Sequence, residues 1–384
     1  MPRIRSFTKE DIPSVSGLHR RVFGVRNEYG GEDPTDLLQS SYSTYFDEVF
    51  LNNPWKDCAT PSLVYEYEDG RIAGFLGVVP RRMVFDGSPV NVALSTQFVV
   101  EQESRSAGVG IRLLQAFLAG PQDLSLTDEA NHPSRRLWEA LGGRTALVYS
   151  FNWTRMLSPL DYWMTRIGRR AGATALVKPA RPLTRLVDGL ISKRFPDRFR
   201  PDGSDLVEQD LTAELYIELM QSLAGERRLK PACDAAAFNW LTGLLSRNRL
   251  LGDLRGVALN TPGGEPVGLY LCFIKPGGES TLVQLIARRK MEGRVLEHLF
   301  TDAWKSGSTA VTGRLDPQHS LVISEKHCSF ACGAPWTLIH SQNRELIGAI
   351  DSGEALLTGM EGEMSIRFIP PDEPASPETH NNCP

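Results

Sequence analysis

The stretch FVVEQESRSAGVGIRLL, residues 98–114, constrains this chain more than any other. An apolar run suited to a strand gives way to a polar segment ending at Arg105. The chain then crosses Gly108-Val109-Gly110 and enters Ile111, Leu113 and Leu114 at helical spacing. A strand that feeds a helix in this way aims the free N–H groups and partial positive charge of the first helical turn at one small volume. Phosphate is the natural occupant of such a volume. The glycines let backbone approach an anion closely, and Arg105 adds charge at the mouth.

Two phosphate loops of similar look do not fit. A dinucleotide fingerprint, G-x-G-x-x-G, needs glycine where Leu113 stands, and a P-loop needs Lys-Ser/Thr where Ile111-Arg112 stand.

Upstream, Ile4 and Phe7 fit a short strand. Asp11 is a suitable cap for a helix burying Ile12, Val15, Leu18 and Val22. SLVYEYEDGRIAGFLGVVPRRMVFDG reads as two strands joined at Asp69-Gly70, a dipeptide suited to positive φ at both central turn positions. VNVALSTQFVV is the strand that leads into the opening feature. Downstream come a helix (111–118), a strand (123–127), and a helix opened by Pro133 and stopped by Gly142-Gly143. TALVYSFNWTRML is expected to close the set. Residues 205–340 repeat this element order, which predicts an α+β chain of two tandem units, each a mixed, mostly antiparallel sheet flanked by helices. The boundaries are placed at 1–157, a connector at 158–204, a second unit at 205–369 and a disordered Pro-rich tail at 370–384.

The net charge of −4 gives no global reason to expect nucleic acid. Residues 155–200 differ from the rest, with eleven Lys and Arg against three Asp and Glu. They read either as a solvated helical connector or as a docking surface for an acidic partner: a carrier protein, a nucleotide or an anionic membrane. Six scattered cysteines suggest reduced thiols and a cytoplasmic location. His327-Cys328-x3-Cys332 lacks a second ligand pair, so no metal is expected. No apolar stretch approaches the length of a spanning helix, and no signal peptide is visible.

With its flanking strand and helix, Arg105-x-x-Gly108-x-Gly110 resembles the acyl-CoA pyrophosphate loop of the GNAT superfamily of N-acyltransferases. ANHPSRRLWEALGGR is similar to the family's next strand end and helix. The resemblance covers residues 3–155 and, as a degenerate copy, about 205–340. It implies acetyl-CoA or another acyl-CoA as co-substrate. Backbone from Arg105 through Ser106, Ala107, Gly108, Val109 and Gly110 to Ile111 would hold the pyrophosphate. Phe98, Val99 and Val100 would pair with pantetheine and polarise the thioester, and Asn131 and Ser134 would face the pantetheine arm. Trp138 occupies the position of the family's acidic Tyr, and an indole has no useful acidity. Gly143 replaces the usual aromatic. The second copy reads Ala287-Arg-Arg-Lys-Met-Glu-Gly293, without Gly-x-Gly, and is expected not to bind CoA.

Acylation of an amine needs a proton acceptor. Asp128 at a strand end is the chosen candidate, with Glu129 and Glu101 as others and Gln97 as a residue orienting the acceptor. The segment 27–55 combines Glu28, Glu32, Asp33 and Asp36 with Tyr29, Tyr42, Tyr45 and Trp55, which suits a cationic amine or an amino sugar as well as plain packing. Three functions follow as expectations: an acyl-CoA-dependent N-acyltransferase acting on a small-molecule amine or amino-sugar acceptor, a carrier-protein-dependent transferase, or a non-catalytic acyl-CoA-binding protein.

Overall fold

The computed structural model describes residues 2–23, 35–56, 59–170, 184 and 186–369. Two sheets carry the architecture. The first runs β1 (Arg3–Ser6), β2 (Leu63–Glu66), β3 (Ile72–Phe85), β4 (Ser88–Val100), β5 (Leu124–Ala130), β15 (Trp336–His340), β6 (Arg144–Thr145), with β9 (Leu229–Pro231) on the far end of β3. The second runs β14 (Ser329–Cys332), β7 (Phe151–Met156), β13 (Ala310–Arg314), β12 (Glu279–Ala287), β11 (Pro266–Ile274), β10 (Asp253–Asn260), β8 (Val207–Asp210). Each sheet is antiparallel except for one central parallel pair, β4–β5 and β12–β13. This is the expected α+β arrangement of two like units.

The strands do not respect the boundary at residue 157. Residues 145–157, expected as one strand closing the first unit, split at a short helical turn, Leu147–Ser150. Only β6 stays in the first sheet. β7 crosses to pair with β13 and β14, while β15 returns from the second half to pair with β5 and β6. The physical reason is burial on both sides of the crossover. Tyr149 is fully buried there, and its hydroxyl donates to the Ala355 carbonyl at 2.7 Å, fastening the crossover to the C-terminal part of the chain. One apolar cluster accordingly contains side chains of both halves, from Phe7 and Phe75 to Leu271, Leu346 and Met360.

Local chemistry explains the elements around the first sheet. α1 (Ile12–Phe23) buries Ile12, Val15 and Leu18 as the spacing required. Asp11 accepts from the Thr8 amide at 2.9 Å and takes Arg5 in a two-bond ion pair, which fixes the helix start to β1. The hairpin at Asp69-Gly70 forms, but only Gly70 has positive φ. The turn with both central residues positive is Asp86-Gly87, at φ 48° and 84°, joining β3 to β4. α2 (Thr35–Phe46) continues into a wide turn, Asp47–Leu51, and packs Phe46 and Phe50 on Phe75.

Candidate active site

β4 and β5 pair only from Val92–Leu94 to Leu124–Leu126 and then separate. The separation has a local cause. β4 carries one extra residue against β3 between Phe75 and Gly77, and Gln97 takes up the irregularity with φ 49°. The bend swings the end of β4 away from β5 and opens a wedge-shaped cleft of about 190 Å³. Ser95, Thr96, Gln97 and Phe98 line one wall, and Thr127, Glu129, Ala130 and Asn131 the other, with Trp138, Glu363 and Arg367 closing it.

Beyond β4 the chain makes a short turn, Gln102–Ser104, and enters α3 (Val109–Leu118). Gly108 is the helix cap, at φ 73°, a left-handed conformation that favours glycine. The Arg105 and Gly108 amides are used within the loop, bonding Gln102 O and Arg105 O at 3.3 Å. The amides of Ser106, Ala107, Val109, Gly110 and Ile111 have no partner among the described residues. Gly110 sits against the rings and methyls of Phe98 and Val100. Arg105 is exposed beside these amides.

The other sequence candidates are placed as follows. Asn131 caps α4 (His132–Ala140), its Oδ1 accepting from the Ser134 amide at 2.9 Å, and both residues line the cleft. Gln97 also faces the cleft. Its Oε1 meets His19 Nε2 at 2.6 Å and its amide donates to Tyr45 Oη at 3.1 Å. Burial holds His19 below the usual imidazole range, with the Gln97 bond opposing it. Trp138 is buried, edge-on to Phe117 at 6.0 Å. Its indole explains Gly143: a Cβ there would meet the Trp138 ring and carbonyl at 3.0 Å.

Asp128 is a correction. Rather than facing the cleft, its carboxylate pairs with Arg314 from β13 and accepts from the Glu363 amide at 2.7 Å. Both of its oxygens are thus engaged away from the cleft, Oδ2 with Arg314 and Oδ1 with the Glu363 amide. Glu101, the other distant candidate, pairs with Arg71 outside the cleft. The carboxyl groups that do face the cleft are Glu129 and Glu363. Glu129 pairs with Arg367, yet burial and the neighbouring Asp128 raise its pKa.

Glu363 was not singled out from sequence. It arrives on a C-terminal strap, residues 355–369, that crosses from the second sheet to the first. Its Oε1 accepts from Thr127 Oγ1 at 2.5 Å and from the amides of Asp128 and Glu129 at 3.1 and 3.0 Å. Burial, then the charges of Asp128 and Glu129, push its carboxyl up to about 7, against hydrogen bonds from Thr127 and Thr96. Gly362 allows the approach, since a Cβ there would collide with the Asp128 carboxylate. Two glutamates around a glycine in GMEGEMSIRF were the available signal, but nothing local says which cleft they enter.

The strap also anchors the other end of the cleft. Tyr45 Oη donates to Ile366 O at 2.8 Å, and the Phe368 ring stacks on Tyr42 at 4.1 Å. A second cavity of about 310 Å³, with Tyr45 in its lining, shares Arg367 with the first. Ser40, Ser41, Thr44, Glu48 and Arg247 line it, between α2 and the helix Ala235–Ser246. Of the aromatic and acidic segment, Glu28, Tyr29, Glu32 and Asp33 lie outside the described residues, as does the Asp36 side chain. Trp55 is a packing residue, edge-on to Trp240 and under the Arg81 guanidinium.

In the second sheet β12 and β13 also separate, after Leu282 and Gly313, but the wedge is filled. Gly359 N donates to Val283 O at 2.9 Å, and Gln284 binds Thr358 and Glu361 of the strap. Only about 20 Å³ remains between the strands. Among the described residues there is no group of three or more His, Cys, Asp and Glu that could hold a metal ion, and no helix long and apolar enough to cross a membrane.

A model of the acetyltransferase (GNAT) family matches residues 26–142. No curated protein matches the chain in sequence. Among solved structures, a conserved Enterococcus faecalis V583 protein described as a probable N-acyltransferase is similar at TM-score 0.55 and 12% identity, over 89% of this chain and 73% of that one. A GCN5-related N-acetyltransferase from Anabaena variabilis is similar at TM-score 0.55 and 14% identity, over 89% and 73%. Another from Kribbella flavida is similar at TM-score 0.51 and 14% identity, over 92% and 73%. At such identities the likeness is one of fold. Residues 26–142 of this chain thus match a model of the acetyltransferase (GNAT) family, within a longer chain whose fold is similar to that of GCN5-related N-acetyltransferases.

Proposed function

We propose that the β4–β5 cleft transfers an acyl group from acetyl-CoA or another acyl-CoA to an amine of a small molecule or amino sugar. The observation that carries this reading is the row of five unpartnered amides at the start of α3, opening beside a strand edge freed by the Gln97 bulge. The pyrophosphate lies on the amides of Ser106, Ala107, Val109, Gly110 and Ile111 with Arg105 at the rim. Pantetheine runs along Phe98–Val100, past Asn131 and Ser134. The acceptor enters from the cavity beyond Tyr45 and Arg367.

Glu363 is the proton acceptor in this scheme. The amine gives its proton to Glu363 and its lone pair forms the C–N bond, the thioester C–S bond breaks, and the leaving thiolate is protonated by water. Gln97, held by His19 and Tyr45, orients the acceptor. Residues 1–157 then supply the CoA cleft, 158–204 a connector and 205–369 the acceptor wall and the strap, in a cytoplasmic enzyme. Trp138, buried where an acid is expected, favours one alternative, a protein that binds acyl-CoA without turning it over. Thermal-shift titration with CoA, followed by thiol release over an amine panel, tests the proposal. Stabilisation with turnover is expected; stabilisation without turnover selects the alternative. The absence of stabilisation removes both and leaves a carrier-protein donor.

A further inference from the structure

The basic stretch 155–200 has no part in the cleft chemistry, and its surface is unusual. Of its three acids, Asp161 and Asp188 are buried. Asp188 caps α5 (Pro159–Arg170), accepting from the amides of Leu160 and Asp161 at 2.8 and 3.0 Å, and so sets the helical residues 186–194 against the start of α5. At the far end Arg155 donates to Asp197 O at 3.1 Å and ties the stretch to β7. The excursion is therefore held at both ends, with two of its three carboxylates turned inward.

What it presents outward is apolar and cationic. Trp163 and Ile167, one turn apart on α5, are 50% and 58% exposed. Leu186 and Leu190, also one turn apart, are 71% and 67% exposed, and Phe195 is 48% exposed. Lys193, Arg194, Arg198 and Arg200 stand exposed near them. A soluble surface rarely leaves so many large apolar side chains in water within one short stretch. Bulky apolar and aromatic residues interleaved with Lys and Arg are the composition of helices that lie in a lipid interface. The charge layout agrees. The stretch carries +8 in a chain of net −4, so an anionic surface attracts this side and repels the rest.

We infer that the described parts of the excursion, 159–170 and 186–200, dock the protein on anionic membrane surfaces, with Trp163, Ile167, Leu186, Leu190 and Phe195 entering the interface and Lys193, Arg194, Arg198 and Arg200 meeting lipid headgroups. The protein lies on the bilayer without spanning it, and this docking is independent of the acyl-transfer reading.

Flotation of the full chain with vesicles of phosphatidylcholine, alone or mixed with phosphatidylglycerol, tests the inference. Binding to the mixed vesicles at low salt, and its loss at high salt, are expected. Lys193→Glu/Arg194→Glu and Ile167→Ser/Leu190→Ser should each weaken binding about tenfold or more, with unchanged melting because all four side chains are exposed. Failure of the full chain to float with mixed vesicles overturns the inference, as does flotation of both variants at the parent level. Binding to an acidic acyl carrier protein without binding to lipid overturns it in favour of a protein partner.

Discussion

Replacing Glu363 by Gln tests the active-site argument most sharply, because rate and stability should move in opposite directions. Three of the donors that hold Glu363 reach Oε1, which a carboxamide keeps, and the fourth, Thr96, is a hydroxyl that can accept from a carboxamide NH2, so the strap stays seated. The side chain loses only its ability to take a proton, and general-base catalysis is worth about 10²–10⁴ in rate. Glu363→Gln should lower kcat/KM at pH 8 by at least about 100-fold. In the parent protein log kcat/KM should rise with pH and level off near 7, where burial and its acidic neighbours place the carboxyl; in the variant that limb should vanish.

Stability follows from the same shift. A carboxyl raised from 4.5 to about 7 on folding binds its proton more tightly in the folded state. Stability is therefore greatest below pH 4.5, falls through the window from 4.5 to 7, and is level above it. The accumulated loss is about 3 kcal/mol. Because Gln does not titrate, the variant should gain on the parent across that window and be the more stable protein at pH 8. Urea denaturation at pH 5 and 8, alongside the pH–rate profile, measures both effects. A variant with parental rate and an unchanged limb near pH 7 takes Glu363 out of the proton path. A variant less stable than the parent at pH 8 refutes the account of its burial.

Gly108→Glu should abolish CoA binding in calorimetric titration while the fold persists. A Cβ at Gly108 meets nothing within 4 Å, its positive φ costs about 1–2 kcal/mol, and a carboxylate among the five amides repels phosphate by a factor on the order of 100. Arg314→Ala should cost about 3–5 kcal/mol in chemical denaturation, because it leaves Asp128 buried without its cation. A loss below about 1 kcal/mol would show that Asp128 is not held as described.

What could be read from sequence was what neighbouring residues decide among themselves. The strand, glycine loop and helix of 98–118 are written in spacing and in one residue that tolerates left-handed φ, and they stand where expected. The doubled α+β order was legible for the same reason. Partner choice between strands was not. Nothing within FNWTRM (β7) or WTLIH (β15) names the sheet each joins, and the crossover at Tyr149 is fastened by a hydroxyl bonding a carbonyl 206 residues away. Asp128 failed as a base on the same ground, since its cation, Arg314, lies 186 residues ahead in the chain. Charges find their partners in three dimensions, and a strand-end carboxylate looks alike in sequence whether it is free or neutralised.

The strap draws these points into one argument about why the chain has two units. Where β12 and β13 diverge, residues 358–361 fill the wedge with backbone and side-chain bonds to Val283 and Gln284. Two residues further on, Glu363 enters the open wedge between β4 and β5. A second copy that still held a ligand between its central strands would have no place for this segment, and the first would then lack the carboxyl at its floor. The absence of Gly-x-Gly at 287–293 and the seat of Glu363 on the 128–129 amides are thus two sides of one arrangement. The filled wedge serves as the anchor, and the crossing strands β7 and β15 tie anchor to cleft. Gly362 is the joint, since any side chain there would drive Asp128 from Arg314 and Glu363 from Thr127 together.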